Sequence, residues 1–169
     1  DVVVRSGASE GTTGSISVRS MASEDTSGRI EVATGSAVTG ESGAIAISSG
    51  FATEGTSGGI AVAVGSGYSG VGKLSLSGGN ALAGNHKGGS ISIASGAGSG
   101  SGTGGSIDVM TAGSSAANSG GISLLTGNAN QGTAGAVRLT AGSGIVGGSL
   151  VASAGDGVSE GGNVVLSAG

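Results

Sequence analysis

The sequence Gly104–Gly121, GGSIDVMTAGSSAANSGG, holds one full copy of the pattern that fills this chain. Two aliphatic residues, Ile107 and Val109, stand two positions apart, and a loop of small residues and a Gly pair follow them. The alternation then starts again at Ile122. Aliphatic residues at every second position are typical of a strand with one buried face. Each copy of the pattern therefore predicts one short β-strand.

The pattern occurs twelve times in the 169 residues, at intervals of 13 to 17 residues. Its first aliphatic position is occupied by Val2, Ile16, Ile30, Ile45, Ile60, Leu74, Ile91, Ile107, Ile122, Val137, Leu150 and Val164. Its second is occupied by Val4, Val18, Val32, Ile47, Val62, Leu76, Ile93, Val109, Leu124, Leu139, Ala152 and Leu166. Repetition of this kind is typical of stacked repeat proteins. One strand cannot bury its own aliphatic face, so we expect neighbouring copies to cover it.

These observations predict an all-β fold, a parallel β-solenoid of twelve units of about 15 residues each. A coil of two units, about 30 residues, separates Arg5 from Arg19 and makes Asp108 and Arg138 vertical neighbours of opposite charge. We therefore favour two strands per coil, with one unit per coil as the alternative. Residues 1–169 are predicted to form a single array. Because the sequence begins and ends within a repeat, we expect it to be a fragment of a longer array.

The composition limits the classes of function. The chain has 41 Gly, no Pro and no Cys, so disulfides and thiolate chemistry are excluded. Its formal net charge is −4 and its six Lys and Arg residues are scattered, which argues against a nucleic-acid partner. No apolar run approaches the roughly 20 residues that a membrane-spanning helix needs, so we predict no transmembrane segment.

Two kinds of small residue are explained structurally. Four residues after the first aliphatic, seven copies carry a hydroxyl: Ser6, Ser20, Thr34, Ser49, Ser95, Thr111 and Thr126. Such hydroxyls can satisfy backbone groups where the chain turns. The many glycines allow positive φ and close approach of neighbouring chain segments.

Motifs that carry chemistry are weak here. Gly67–Lys73, GYSGVGK, has the spacing of a phosphate-binding loop, but Leu74 follows where that loop needs Ser or Thr. His86 is the sole histidine and has no predicted catalytic partner, and the pairs Glu24–Asp25 and Asp156–Glu160 are read as solvated charges. We therefore predict no enzyme activity and no catalytic, cofactor-binding or metal-binding residues.

The units Gly88–Gly105, GGSISIASGAGSGSGTGG, and Gly161–Gly169, GGNVVLSAG, resemble the Gly/Ser/Thr-rich repeat arrays of large surface proteins. Arrays of this type are found in diatoms and related algae and, more distantly, in bacterial adhesins of the filamentous-haemagglutinin type. The resemblance covers the whole chain. It implies an extracellular fibre, adhesin stalk or surface layer, and it carries over no catalytic residue.

Several apolar residues stand at strand positions that should face outward, which favours a lateral contact with another copy. This predicted self-association surface consists of Ala61, Ala63, Met110, Leu125, Val151 and Val165. We therefore predict a structural filament or cell-surface stalk protein that associates with itself laterally or end to end. The alternatives are an adhesin that binds a surface or glycan, and an ice-binding protein that uses its ranked hydroxyls.

Overall fold

A computed structural model describes residues 1–168 and corrects the predicted fold. Within these residues there is no helix, no strand and no sheet. The prediction of an all-β parallel solenoid is therefore wrong, with two units per coil as with one. Aliphatic residues at every second position predict which side chains share a side of the backbone. A sheet also requires ladder hydrogen bonds between neighbouring strands. The backbone hydrogen bonds of the described residues instead close individual loops.

The chain forms two compact units, Asp1–Ser77 and Gly78–Gly169. Each unit contains six of the twelve aliphatic pairs, the first from Val2 to Leu76 and the second from Ile91 to Leu166. The two units are thus alike in repeat content. That they belong to a single longer array stays a prediction.

A bend or turn interrupts each of the eleven stretches between consecutive aliphatic pairs. The bends lie at residues 10–11, 24–25, 38–40, 53–55, 68–69, 83–85, 100–101, 115–117, 130–132, 144–146 and 158–159. Most of these bends end five or six residues before the first aliphatic residue of the following repeat. The conformation therefore repeats together with the sequence, although no regular secondary structure forms.

We number the positions of each repeat relative to its first aliphatic residue, which is position 0. Residues before it have negative numbers and residues after it have positive numbers. Position −2 is Gly in all eleven repeats that have one. A methyl group placed on this Gly would lie within 4 Å of position +4 of the preceding repeat in ten of the eleven cases, Gly58 being the exception. Examples are Gly43 against Thr34 Cγ2 at 3.4 Å and Gly162 against Ala154 Cβ at 3.4 Å. The two ends of these ten loops therefore approach closely, and we call this approach the neck.

Backbone hydrogen bonds close four of the necks. In each, the amide of position −2 donates to the carbonyl oxygen of position +5 of the preceding repeat. The bonds are Gly89 to Gly79 at 2.8 Å and Gly105 to Gly96, Gly148 to Gly142 and Gly162 to Gly155 at 2.9 Å. Position +5 is also mostly Gly, in nine of eleven repeats. Two glycines facing each other leave room for this direct backbone contact.

Positive φ explains few of the glycines. Gly100, with φ of 59°, is the second residue of a turn in which the Gly102 amide donates to the Ser99 carbonyl over 3.0 Å. Residues other than glycine seldom adopt that φ, so the turn depends on Gly at this position. Close approach at the necks explains many more of the glycines than positive φ does.

Side chains two residues apart meet in three of the repeats. Arg29 Nη2 lies 2.6 Å from Glu31 Oε2, and the Ser106 hydroxyl donates to Asp108 over 3.0 Å. Arg19 Nε donates to the Ser17 hydroxyl over 3.1 Å. Residues i and i+2 share a side in an extended backbone but not in a helix. These stretches are therefore locally extended without pairing into a sheet.

None of the described residues is buried, and all of them except Ser6 and Ala52, which are intermediate, are exposed. The chain has an accessible surface of 16753 Å². A compact protein of 15.2 kDa would expose roughly 7,100 Å² and its unfolded chain roughly 22,000 Å². A single copy therefore keeps most of its surface in water and has no hydrophobic core among the described residues.

Candidate functional site

The aliphatic pairs are exposed, which corrects the predicted burial of both columns. The first aliphatic is 50–55% exposed in ten repeats, and the second is 64–78% exposed in ten. In the nine repeats from Ile16 to Leu139 the first aliphatic is always the more shielded of the two, from 54% against 64% at Val137 and Leu139 to 50% against 76% at Ile30 and Val32. These side chains are thus the most regular apolar feature of the surface, and nothing within one copy covers them fully.

Charged residues avoid the side that carries these pairs. Between positions −2 and +4 of the repeats, every charged residue stands at an odd position: Asp1, Arg5, Arg19, Arg29, Glu31, Lys73, Asp108 and Arg138. The even positions hold Gly at −2, aliphatics at 0 and +2, and small residues or Val64 at +4. We call the set of positions −2, 0, +2 and +4 the even face. It is free of charge in all twelve repeats.

The predicted self-association surface stands entirely at odd positions. Ala61, Ala63, Met110, Leu125, Val151 and Val165 are all exposed. Met110 and Leu125 are 80% and 81% exposed, compared with 71% and 70% for their neighbours Val109 and Leu124. Exposure alone does not set these six residues apart, because nearly the whole chain is exposed. Their role in association stays a prediction.

One member of the charged pair predicted from a two-unit coil, Asp108, has a local partner instead. Asp108 accepts a hydrogen bond from Ser106 rather than facing Arg138 across a coil. In residues 1–168 the salt bridge present joins Arg29 to Glu31, whose side chains are 82% and 60% exposed. Ion pairs as exposed as this one contribute little to stability.

The residues weighed for chemistry lie apart. A shallow depression is lined by Ser66, Gly67 and Tyr68, at the start of the Gly67–Lys73 motif, but no helix follows the motif as a phosphate-binding loop requires. His86 lies beside the bend at 83–85, against Gly84. No group of three or more His, Asp or Glu in the described part of the chain could hold a metal ion. That the chain has no enzyme activity stays a prediction.

The neck was not predicted. Its signal was present in the sequence, because Gly occupies position −2 in eleven of eleven repeats and position +5 in nine. Aligning the twelve aliphatic pairs and reading the remaining columns identifies both positions. The high overall Gly content hides them until that alignment is made.

The described chain is thus an array of exposed aliphatic pairs joined by loops with close necks. Comparison with known proteins found no matching family, no similar curated protein and no similar solved structure. Among residues 1–168, none of the chain forms a helix of the length and apolarity needed to cross a bilayer.

Proposed function

We propose that this chain is a structural, self-associating repeat protein of an extracellular filament or cell-surface stalk. The observation that carries the proposal is the exposure of the aliphatic pairs in a single copy. Soluble monomers seldom leave long apolar patches in water, and such patches are usually contact sites. Twelve pairs repeated along one chain suit contact with another repetitive surface.

The low reactivity of the side chains agrees with a structural role. The chain has one His, no Cys and two aromatic residues, and in its described part no three His, Asp or Glu residues are grouped as metal ligands would be. The extracellular assignment is supported by the resemblance of the repeats to those of large surface proteins. The necks support a structural role as well, because they fix the ends of each loop without a hydrophobic core.

Sedimentation velocity of the full chain between about 1 and 500 μM, followed by electron microscopy, tests the proposal. The range covers ordinary micromolar to millimolar association. We expect concentration-dependent growth into filaments or large assemblies. A chain that stays monomeric over the whole range refutes the self-association.

The same samples separate the two alternatives. Binding to a glycan array by monomers that form no assemblies would favour an adhesin. Thermal hysteresis of a dilute, monomeric solution would favour an ice-binding protein. Neither result is expected if the apolar pairs are covered by other copies.

A further inference from the structure

The even face is the one continuous part of the repeats that carries large apolar side chains and no charge. We propose that copies of this chain associate through the even face, with the even face of a second copy as its occupant. The inference rests on the proposed self-association and names the surface responsible. It assigns association to the columns containing Val109 and Leu124 instead of the odd positions containing Met110 and Leu125.

The sidedness follows from local contacts. The pairs Arg29–Glu31 and Ser106–Asp108 join positions −1 and +1, and Ser17–Arg19 joins positions +1 and +3. Odd positions therefore share one side of the extended stretches, and the even positions lie on the other. The necks bring even positions of consecutive repeats together, since ten of the eleven Gly residues at −2 approach position +4 of the repeat before them.

The charge distribution tells the two sides apart as interfaces. Charged residues are depleted from the buried centres of protein interfaces because removing their hydration is costly. Bringing two odd sides together would enclose Arg5, Arg19 and Lys73 within the first unit. Bringing two even faces together encloses no charge in any repeat.

The area is sufficient for one unit to hold another. An exposed Val, Leu or Ile side chain carries on the order of 100 Å² of apolar surface. The twelve residues of the six aliphatic pairs in Asp1–Ser77 are mostly half to three-quarters exposed, so they offer roughly 800 Å². A stable protein interface buries about 800 Å² on each partner.

Spacing identifies the partner as a second copy. In the first unit the aliphatic pairs follow one another at intervals of 14 or 15 residues. A surface with the same intervals places an aliphatic pair opposite each pair along the whole unit. A lipid surface is a poor match, because the chain is acidic and has only Phe51 and Tyr68 as aromatic anchors.

A matched pair of double variants tests the assignment. Val109→Lys with Leu124→Lys changes the even face, and Met110→Lys with Leu125→Lys changes the odd side of the same two repeats. Both variants raise the formal net charge equally, from −4 to −2. Sedimentation velocity gives the concentration at which half the protein is associated, and far-ultraviolet circular dichroism compares the backbone conformations.

We expect the even-face variant to raise the half-association concentration at least about tenfold, because the interface would bury two unpaired ammonium groups. The odd-side variant should change it by less than about twofold, as expected for exposed substitutions. The milder Val109→Ala with Leu124→Ala should shift association in the same direction as the even-face Lys variant. It keeps the test decisive if the Lys variant alters the backbone spectrum.

Equal effects of the two Lys variants, or a larger effect of the odd-side one, would overturn the even face as the interface. The second of these results would favour the surface first predicted from the sequence. In both cases wild-type association would still stand. Absence of wild-type association would instead refute the proposed function, so the two failures are distinguishable.

Discussion

The two units Asp1–Ser77 and Gly78–Gly169 have the same number of repeats but hold their loops differently. All four backbone hydrogen bonds that close necks lie in the second unit. In the first unit, bends are supported by Ser side chains, with the Gly11 amide donating to Ser9 Oγ and the Asp25 amide to Ser23 Oγ. The second unit has one such contact, from the Ala117 amide to Ser114 Oγ.

The bends of the two units also differ in charge. Acidic residues stand at or beside four of the five bends of the first unit, at Glu10, Glu24–Asp25, Glu41 and Glu54. In the second unit, Asp156 and Glu160 flank the last bend and the other bends carry no acid. Overall, the first unit has seven acidic and four basic residues, and the second has three and two. The even positions keep one composition while the bends vary, so different constraints act on them.

The largest expected effect comes from removing the charge difference between the bends. A fourfold variant brings the formal net charge from −4 to zero by replacing with Gln the residues Glu10, Glu24, Glu41 and Glu54. Like-charged bends oppose the approach of copies, so the half-association concentration in low salt should fall about tenfold. Sedimentation velocity at low and high salt measures the change, which should largely vanish in high salt.

The matched control places four Gln residues in bends of the second unit, at Ser115, Asn130, Val146 and Ser159. These substitutions leave the net charge unchanged, and association should stay within about twofold of wild type. An effect as large as that of the first variant would show that loop composition, not charge, governs association.

A smaller effect is expected from closing the space at a neck of the second unit. A Cβ at Gly78 would clash with the Gly89 carbonyl, whereas one at Gly79 would meet nothing within 4 Å. Gly78→Ala should therefore break the bond from the Gly89 amide to the Gly79 carbonyl. Since a hydrogen bond contributes about 1 kcal/mol, exchange of the Gly89 amide should quicken about fivefold.

Gly79→Ala is the control for this neck, since it alters the neighbouring residue and leaves the space unobstructed. Hydrogen exchange followed by nuclear magnetic resonance should find the Gly89 amide as protected as in wild type. Equal acceleration in the two variants would mean that general stiffening of the backbone, not the lost bond, caused the change.

The smallest effects are expected at the Ser-supported bends. Ser9→Ala and Ser23→Ala remove the acceptors of the Gly11 and Asp25 amides, and Ser114→Ala removes that of the Ala117 amide. Because these contacts are exposed, each amide should exchange only about twofold faster. The Gly102 amide, bonded to a backbone carbonyl, serves as internal reference. A change at Gly102 would show that the substitutions act beyond their own bends.

What the sequence could predict differs from column to column. Alternation at Ile107 and Val109 predicts side chains on a shared side, because two-residue periodicity is a local property of an extended backbone. The alternation does not show which other residues cover those side chains. Burial depends on which residues, distant in the sequence, pack against a side chain. An extended segment without a partner and a strand within a sheet have the same alternation of apolar residues. The prediction of a β-solenoid followed from the assumption that neighbouring repeats of one chain bury each other's aliphatic side chains.

The odd-position surface stays a prediction, and the proposed even face competes with it. In the fold predicted from the sequence, Met110 and Leu125 are apolar residues that face solvent, while Val109 and Leu124 belong to a core. With both sides exposed, the contrast that remains is charge, and charge is readable from the sequence once the repeats are aligned. The glycines of the necks are readable from the aligned repeats, but their closing hydrogen bonds are not, because these bonds join residues across loops of different length.

The necks have a consequence for how the array tolerates change. The interval from Leu74 to Ile91 is 17 residues and that from Val137 to Leu150 is 13, yet both loops close with the same amide-to-carbonyl bond, at 2.8 and 2.9 Å. Insertions and deletions between the closing glycines thus leave the aliphatic register undisturbed. The bends are natural places for a foreign peptide to be displayed, many copies along one chain.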